Sequence, residues 1–564
     1  MIQRPPYRRR RTRRFRVLTR VLPLAALAAG AVAAGVILIA SSSGDAQRRV
    51  ATDYVAAWAR GDYARMYALL SPAAQAKRSE AGFAAAYRAA ARAATTIAVI
   101  PGKVGGPQGN VIHVPMMVRT RVFGTLRETL LVPVVGSGSR PRVGYAGTLL
   151  FPGLRPGERL TRTVSLPPRA ALFASDGTPL AQGPDRSSPI PDVAGEIVGT
   201  LGRIPAQDAS TYAADGYPPG AQVGLDGLER IFQQQLAGTP GGTLRAGTRV
   251  LARSAPVPGT AVRTTIDPPV ERAAIAALGG HFGGIAAIDP RTGAVLALAG
   301  TAFSVVQPPG STMKIITATG ALEAGIVKLS DSFPVATSAT IDGYTLQNAN
   351  GEACGGTLLN AFAVSCNSVF APLGARLGAQ RLVAVAERFG FNQPPSIPGA
   401  AESTIPPADA IGDSLAVGSS AIGQGKVQAS ALEMTDVGAT IAMGGLRPIP
   451  TLRAYQPARF YRATSAPVAN QVQQMMIAVV QFGTGTAAQI PGVQVAGKTG
   501  TAELGNTTGA GSKSAQDTDA WFVGYAPVGH PRIVVGALFP NQGAGGSTAA
   551  PAVHGVLAAA LAAH

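Results

Sequence analysis

The sequence predicts a multidomain chain: one N-terminal transmembrane helix, then a small α+β domain, a mostly β segment and a C-terminal α/β domain. Three observations predict it. The 564 residues exceed what one hydrophobic core organises. Residues 21–40 form a twenty-residue run without a charge. Beyond it the patterning changes character, from helical spacing to alternation, then to short Gly/Pro-punctuated strands, then to a strand pair followed by an apolar helix.

The formal net charge is +19, but nine arginines and no acid lie within residues 1–20, so the excess is concentrated in a tail and gives no argument for nucleic-acid binding. The run at 21–40 is rich in Ala, Val and Leu, and at about 1.5 Å per residue it just crosses a hydrocarbon core. Arginines before it and the polar Ser41-Ser42-Ser43-Gly44-Asp45 after it place the N-terminus in the cytoplasm and the rest of the chain outside. A cleaved signal peptide is the alternative, which the length of the run disfavours. An exported Cys354 and Cys366, twelve residues apart, meet an oxidising compartment that permits a disulfide; the alternative is two buried thiols.

In the first domain, placed at 46–152, Val50, Tyr54, Val55 and Trp58 recur at helical spacing; Met66, Leu69 and Leu70 mark a second helix and Phe83 with Tyr87 a third. Stretches 95–100, 110–120, 126–135 and 142–146 read as strands between Gly/Pro turns. Helices followed by a curved antiparallel sheet resemble the NTF2-like domain that precedes the body of some penicillin-binding proteins. His113 is its only histidine and no acid/base set converges, so a spacer role is expected.

After a linker at 152–157, the span 160–265 is strand- and turn-rich. Residues 171–181 place apolar runs on either side of Asp176-Gly177, and Gly224-Leu225-Asp226-Gly227-Leu228-Glu229 leads to a Gly/Pro-rich stretch at 238–242. Both phrases are similar to the dimerisation, or pedestal, domain of class B penicillin-binding proteins, where they are structural.

The last domain, 266–564, opens with Asp267 capping a helix and a hairpin of 284–288 and 294–298 turning at Asp289-Pro290. Ser311 follows, in Pro308-Pro309-Gly310-Ser311-Thr312-Met313-Lys314, ahead of an apolar helical stretch. With Ser311 at a helix start, Lys314 three residues on shares its face and can take its proton, while free N–H groups favour the developing negative charge. The alternative is a capping serine before an ordinary helix. None of the five histidines sits in a motif-like setting and there is no Gly-x-Ser-x-Gly, which leaves lysine as the base.

Two further elements complete a constellation. Ser365-Cys366-Asn367 lies in a helix-like stretch from Thr357 to Gly374; an interruption there would turn a proton-relaying serine and an amide toward one cleft. Lys498-Thr499-Gly500-Thr501 offers a cation and two hydroxyls for a carboxylate, beside small residues that admit an extended substrate. Gly492 to Thr499 also fits the phosphate-loop pattern. A phosphate loop must link a strand to a helix, whereas Val493-Gln494-Val495 alternates like a strand and Gly500 would end a helix at once.

Ser-x-x-Lys, Ser-x-Asn and Lys-Thr-Gly in this order are similar to the motif set of penicillin-binding proteins and serine β-lactamases. Ala421-Ile422-Gly423-Gln424-Gly425 and the strand-like 519–527 support it, and with the anchor and N-terminal regions nearly the whole chain resembles a class B penicillin-binding protein. The resemblance implies a D,D-transpeptidase that binds peptidoglycan stem peptides, is acylated by penicillin and other β-lactams, and needs no cofactor or metal. Ser311 would attack the D-Ala-D-Ala carbonyl with Lys314 as base. Ser365 would relay the proton, Asn367 would hold the substrate amide, and Lys498, Thr499 and Thr501 would take the carboxylate. The backbone N–H groups of Ser311 and Thr501 would form the oxyanion hole. A membrane glycosyltransferase is the implied partner, because no segment of this chain has the size to polymerise glycan.

Four other readings compete. A β-lactamase of class A carries an acidic residue where Cys366 stands and an added Glu-x-x-Leu-Asn, absent here. D,D-carboxypeptidase activity shares the acyl-enzyme but uses water as acceptor. A β-lactam sensor needs a cytoplasmic signalling part larger than twenty residues, and a non-catalytic wall-binding scaffold predicts no labelling of Ser311.

Overall fold

Helical spacing and alternation become two compact units in the computed structural model, which describes residues 44–136, 140–503 and 518–563. The tail and the apolar run at 21–40 lie outside the described residues. Among those described, no helix is long and apolar enough to cross a membrane.

The first unit runs to Pro167 and adds Arg203–Ala221 and Gly238–Pro258. Its first helix, α1 (44–59), buries Val50, Tyr54, Val55 and Trp58, the spacing that predicts it. Helix α2 (Glu80–Ala94) is capped by Ser79, whose side chain accepts from the Gly82 N–H, and buries Phe83 and Tyr87. Both pack on one face of an antiparallel sheet of β1 (Thr96–Pro101), β2 (Pro107–Gln108), β3 (Val111–Thr120), β4 (Thr125–Val135) and β5 (Arg142–Val143). Its order is β1-β3-β4-β5, with β2 paired to β3. Alternation sends Ile112, Val114, Met116, Leu130, Val132 and Val134 into this core and leaves the odd-numbered residues of β3 and β4 on the other face. Aromatic rings fill the interior: the Tyr54 and Tyr87 hydroxyls meet at 2.6 Å, and Tyr87 donates to the Leu149 carbonyl.

A three-stranded sheet of β6 (Leu160–Ser165) with Gly241–Ala246 and Arg249–Ser254 also belongs to this unit, its Leu244 and Ala246 packing with Val118, Val122 and Phe151. The span 160–265, read from sequence as one domain, is thus divided between the units. The Gly241–Ala246 strand pairs with β6 in full register across some eighty residues of sequence, a contact that local patterning does not announce.

The rest of that span lies in the second unit. Strands Leu172–Phe173 and Pro179–Ala181 flank the Asp176 turn, where Asp176 accepts from the Thr178 N–H. Glu229, its side chain 1% exposed, is clasped by Arg169 and Arg186 at 2.5 and 2.6 Å. The Gly224–Glu229 phrase thus ends on a buried carboxylate held by two arginines.

The main sheet of the second unit comprises β7 (Gly284–Asp289), β8 (Ala294–Gly300), β9 (Ala496–Glu503), β10 (Thr518–Ala526) and β11 (Ile533–Phe539), antiparallel in the order β8-β7-β11-β10-β9. Strands β10 and β11 are buried along their whole length, which explains their nearly unbroken apolar sequence. Helix α3 (Pro268–Leu278), capped by Asp267, and a terminal helix, Ala549–Ala563, cover one face. The other face packs against a larger, mainly helical body that includes α4 (Lys314–Glu323), α5 (Leu358–Ala363), α6 (Asn367–Leu377), α7 (Ala431–Ala442) and α8 (Ala466–Gln481).

Candidate active site

Ser311 sits in a 3-10 turn, Gly310–Met313, that runs straight into α4, so it stands one turn ahead of the α-helix whose start it is expected to occupy. Gly310 has φ +51° and donates its N–H to the Gly423 carbonyl at 2.9 Å, and the Thr312 hydroxyl closes the turn on the Pro309 carbonyl. A Cβ on Gly310 would lie 2.8 Å from the Thr501 carbonyl. Glycine is needed here both for its backbone conformation and for the approach of β9.

Lys314 is completely buried, and its Nζ lies 2.9 Å from Ser311 Oγ. The same nitrogen donates to the Ser365 carbonyl and to Asn367 Oδ1, each at 2.7 Å. A neutral amine has two N–H groups and one lone pair. Both N–H groups are committed to groups that only accept, which leaves the lone pair for the Ser311 hydroxyl. Burial, then the neighbouring Lys498 charge, pushes the Lys314 amine well below the usual lysine range.

The expected interruption lies between α5 and α6. Ser365 adopts φ +64°, a left-handed conformation costly for a serine, and this turns its hydroxyl toward Lys498 Nζ at 2.9 Å, with Lys314 Nζ at 3.3 Å. Asn367 opens α6 and donates its Nδ2 to the Gln347 carbonyl. Between them Cys366 is disulfide-bonded to Cys354, Cα atoms 5.8 Å apart, so the bridge closes on the middle residue of the motif.

Lys498, Thr499, Gly500 and Thr501 all lie inside strand β9, where a phosphate loop would already have turned into its helix, which removes the phosphate-loop pattern. Thr499 pairs with Phe522 on β10, as the strand-like 519–527 leads one to expect. Lys498 is fully buried and its amine is brought down to about 7 by that burial. Its nitrogen also donates to the Thr499 carbonyl at 3.0 Å and approaches the Thr499 hydroxyl at 3.5 Å. A Cβ on Gly500 would lie 2.8 Å from the Pro309 carbonyl, so glycine lets β9 lie against the Ser311 turn. The three motif segments, about fifty and 130 residues apart in sequence, therefore converge on two amines and two serine hydroxyls.

Three contributors escape sequence reading. Thr484 shares a 2.5 Å hydrogen bond with the Thr499 hydroxyl and donates its N–H to the Ala363 carbonyl, tying the loop after α8 to β9 and α5; the Gly483-Thr484-Gly485 turn was its only signal. Gln347 acts through its backbone carbonyl, which no side-chain pattern reveals. The rings of Phe362 and Phe370, centred 5.4 and 5.8 Å from the Lys498 and Lys314 nitrogens, line the pocket in which both amines are buried. Among the described residues the Ser311 side chain bonds only to Lys314, and no group of side chains is arranged to hold a metal.

A serine facing a buried lysine whose pKa that burial lowers, in a turn packed against the edge strand of a five-stranded sheet, defines a serine acyltransferase class of site. Residues 283–558 match the penicillin binding protein transpeptidase domain, and residues 169–262 the penicillin-binding protein dimerisation domain. The peptidoglycan D,D-transpeptidase PbpA of Mycobacterium tuberculosis is 33% identical over 370 residues, covering 54% of this chain and 73% of that protein. The D,D-transpeptidase domain of a peptidoglycan glycosyltransferase from Eggerthella lenta superposes with TM-score 0.58 at 29% identity, over 71% of this chain and 99% of that one. Penicillin-binding protein A of M. tuberculosis, solved as an imipenem acyl-enzyme complex, gives TM-score 0.55 at 26% identity over 70% of this chain and 99% of that one. The chain belongs to the class B penicillin-binding proteins.

Proposed function

We propose that this chain is a serine D,D-transpeptidase that cross-links peptidoglycan stem peptides and is covalently inhibited by penicillin, with Ser311 as nucleophile. The observation that carries it is the Lys314 amine, 2.9 Å from Ser311 Oγ with both N–H groups already donated. Ser311 Oγ attacks the carbonyl between the two D-alanines as its proton passes to Lys314. The backbone N–H groups of Ser311 and Thr501 receive the oxyanion, a term worth roughly 3 kcal/mol per donor. Ser365, in reach of both lysines, relays the proton to the departing D-alanine amine, and an acyl-enzyme remains. Asn367 holds the substrate amide, and Lys498 with Thr499 and Thr501 takes the terminal carboxylate. An amine of a second stem peptide then attacks the ester, forms the cross-link and restores Ser311.

A fluorescent penicillin tests the nucleophile: the parent chain labels and Ser311→Ala does not. Labelling retained in that variant would sink the assignment. Products from a stem-peptide donor with an amine acceptor test the acceptor. Cross-linked dimer is expected, and free D-alanine with shortened peptide alone would leave a carboxypeptidase.

We further infer that residues 21–40 anchor the chain with its N-terminus cytoplasmic and both units outside, and that 46–152 is an NTF2-like spacer. The charge-free run and the flanking arginines support the first, and α1 and α2 packed on one face of an antiparallel sheet support the second. Glycan polymerisation then falls to a membrane glycosyltransferase partner. Alkaline extraction of membranes checks the anchor, which should keep the full chain in the pellet.

A further inference from the structure

The outer face of the first unit's sheet has no part in the reaction and an unusual composition. The register gives its outward positions as 98 and 100 on β1, the odd residues 111–119 on β3 and the odd residues 125–135 on β4. None is an acid. Two are exposed arginines, Arg119 and Arg127, with Met117 directly across from Arg127. Ile100, Leu131 and Val135 are 36%, 45% and 39% exposed, and Ile97, at the β1 bulge, is 55% exposed. The surrounding chain is strongly basic: residues 44–167 hold seventeen Lys and Arg against six Asp and Glu. Among the described residues only Arg121 of those seventeen is in an ion pair, with Asp215.

We propose that this face docks on the anionic outer surface of the membrane, arginines on phosphate headgroups and aliphatic side chains at the acyl boundary. The proposal rests on the anchor reading. Two observations commit it to lipid. Gly44 opens α1 against Pro107 of β2, at the end of the sheet that carries Val111 and Val135, and only three residues separate Gly44 from the apolar run. The tether therefore holds this sheet beside the bilayer. A hydrophilic polyanion would satisfy the arginines but gives the exposed isoleucines, leucine and valine nothing to bury against. Each cation near an anionic surface adds a salt-sensitive increment of attraction.

Trp58 and Trp521 are both buried, so a tryptophan placed on the face reports alone. The full chain carrying Leu131→Trp is assembled in lipid nanodiscs with about one third phosphatidylglycerol and bromine-labelled acyl chains. Its added emission should fall about twofold relative to bromine-free discs, and the fall should shrink in neutral discs or at high salt. Adding Arg119→Glu and Arg127→Glu should abolish the quenching while fluorescent-penicillin labelling of Ser311 and the near-ultraviolet circular dichroism of the first unit's aromatic core are unchanged, which shows that both units are still folded. Quenching that is absent, or equal with and without the two glutamates, overturns the proposal. So does a response of the tryptophan to soluble polyphosphate in bromine-free discs without any effect of brominated lipid, which would assign the face to a wall polyanion. Elution of the chain apart from the discs refutes the anchor, and the docking with it, because the tether is a premise.

Discussion

The two units handle positive charge in opposite ways. In the catalytic unit the amines that matter, Lys314 and Lys498, are completely buried, lie within reach of one serine, and have no acid paired to them among the described residues. In the first unit seventeen cations crowd residues 44–167 and one of them is in an ion pair among the described residues. Burial converts a lysine into a neutral base, whereas exposure keeps an arginine charged and available to an anionic surface. The same sign of charge in the sequence thus carries opposite chemistry, and the environment decides which.

Removing the base is the largest break of this comparison. Lys314→Met keeps the volume of the stem and removes the lone pair, so β-lactam acylation should fall about a thousandfold. Stopped-flow acylation measures it, and a loss below about tenfold would mean that another group takes the Ser311 proton. The pH dependence has a definite sign. Lys314 must be unprotonated to act, so acylation rises with pH through its depressed pKa and is lost as pH falls through it. Lys498, near 7, titrates in the same cluster, so the profile belongs to the pair, and a carboxylate that needs charged Lys498 binds less well as pH rises through that value. A profile flat across this range would remove burial as the operative cause.

The disulfide sharpens what burial alone can hold. Ser365 at φ +64° lies beside the bridged Cys366, so a covalent tie secures a strained segment from one side while Lys314 binds the Ser365 carbonyl from the other. Replacing both cysteines by serine reopens a twelve-residue separation and should cost about 3 kcal/mol of stability. Thermal unfolding measures that cost. A severalfold slower acylation should accompany it, and full acylation in a destabilised chain would show that the lysine contacts suffice to position Ser365.

Much of this site was legible because each motif is local. Ser-x-x-Lys is one turn, Ser-x-Asn one helix break and Lys-Thr-Gly one strand, and residue type with spacing reports all three. The cysteine spacing permitted a bridge without deciding it, since distance in space and not in sequence makes the bond. The N-terminal helices and the strands at 111–120 and 125–135 followed from periodicity within a residue or so, while the strand expected at 142–146 shrank to two residues. Partners recruited through backbone atoms or distant strands were not legible. The Gln347 carbonyl that steadies Asn367, the Thr484 contact to Thr499 and the Gly241–Ala246 strand that joins the first unit each depend on long-range closure that composition does not encode.

The smallest effect tests whether burial neutralises acids here as it does lysines. Glu271 on α3 is completely buried. It accepts the Leu298 N–H through Oε2 at 2.7 Å, while Oε1 has no partner among the described residues. Burial raises its pKa from 4.5 to about 8 against the opposing pull of that hydrogen bond, with the Glu196 charge a lesser push in the same direction. Below pH 4.5 both folded and unfolded chains hold the proton and the site costs nothing. Between 4.5 and 8 the unfolded chain releases a proton that the folded chain keeps, so stability falls as pH rises, and above 8 the loss is complete. Glu271→Gln mimics the protonated form and removes this dependence. Its melting temperature should match the parent near pH 5 and exceed it by a few degrees at pH 8, read by calorimetry across that range. A gap that does not widen with pH would place a charged carboxylate in the core, and burial would then not be the rule that separates the two units.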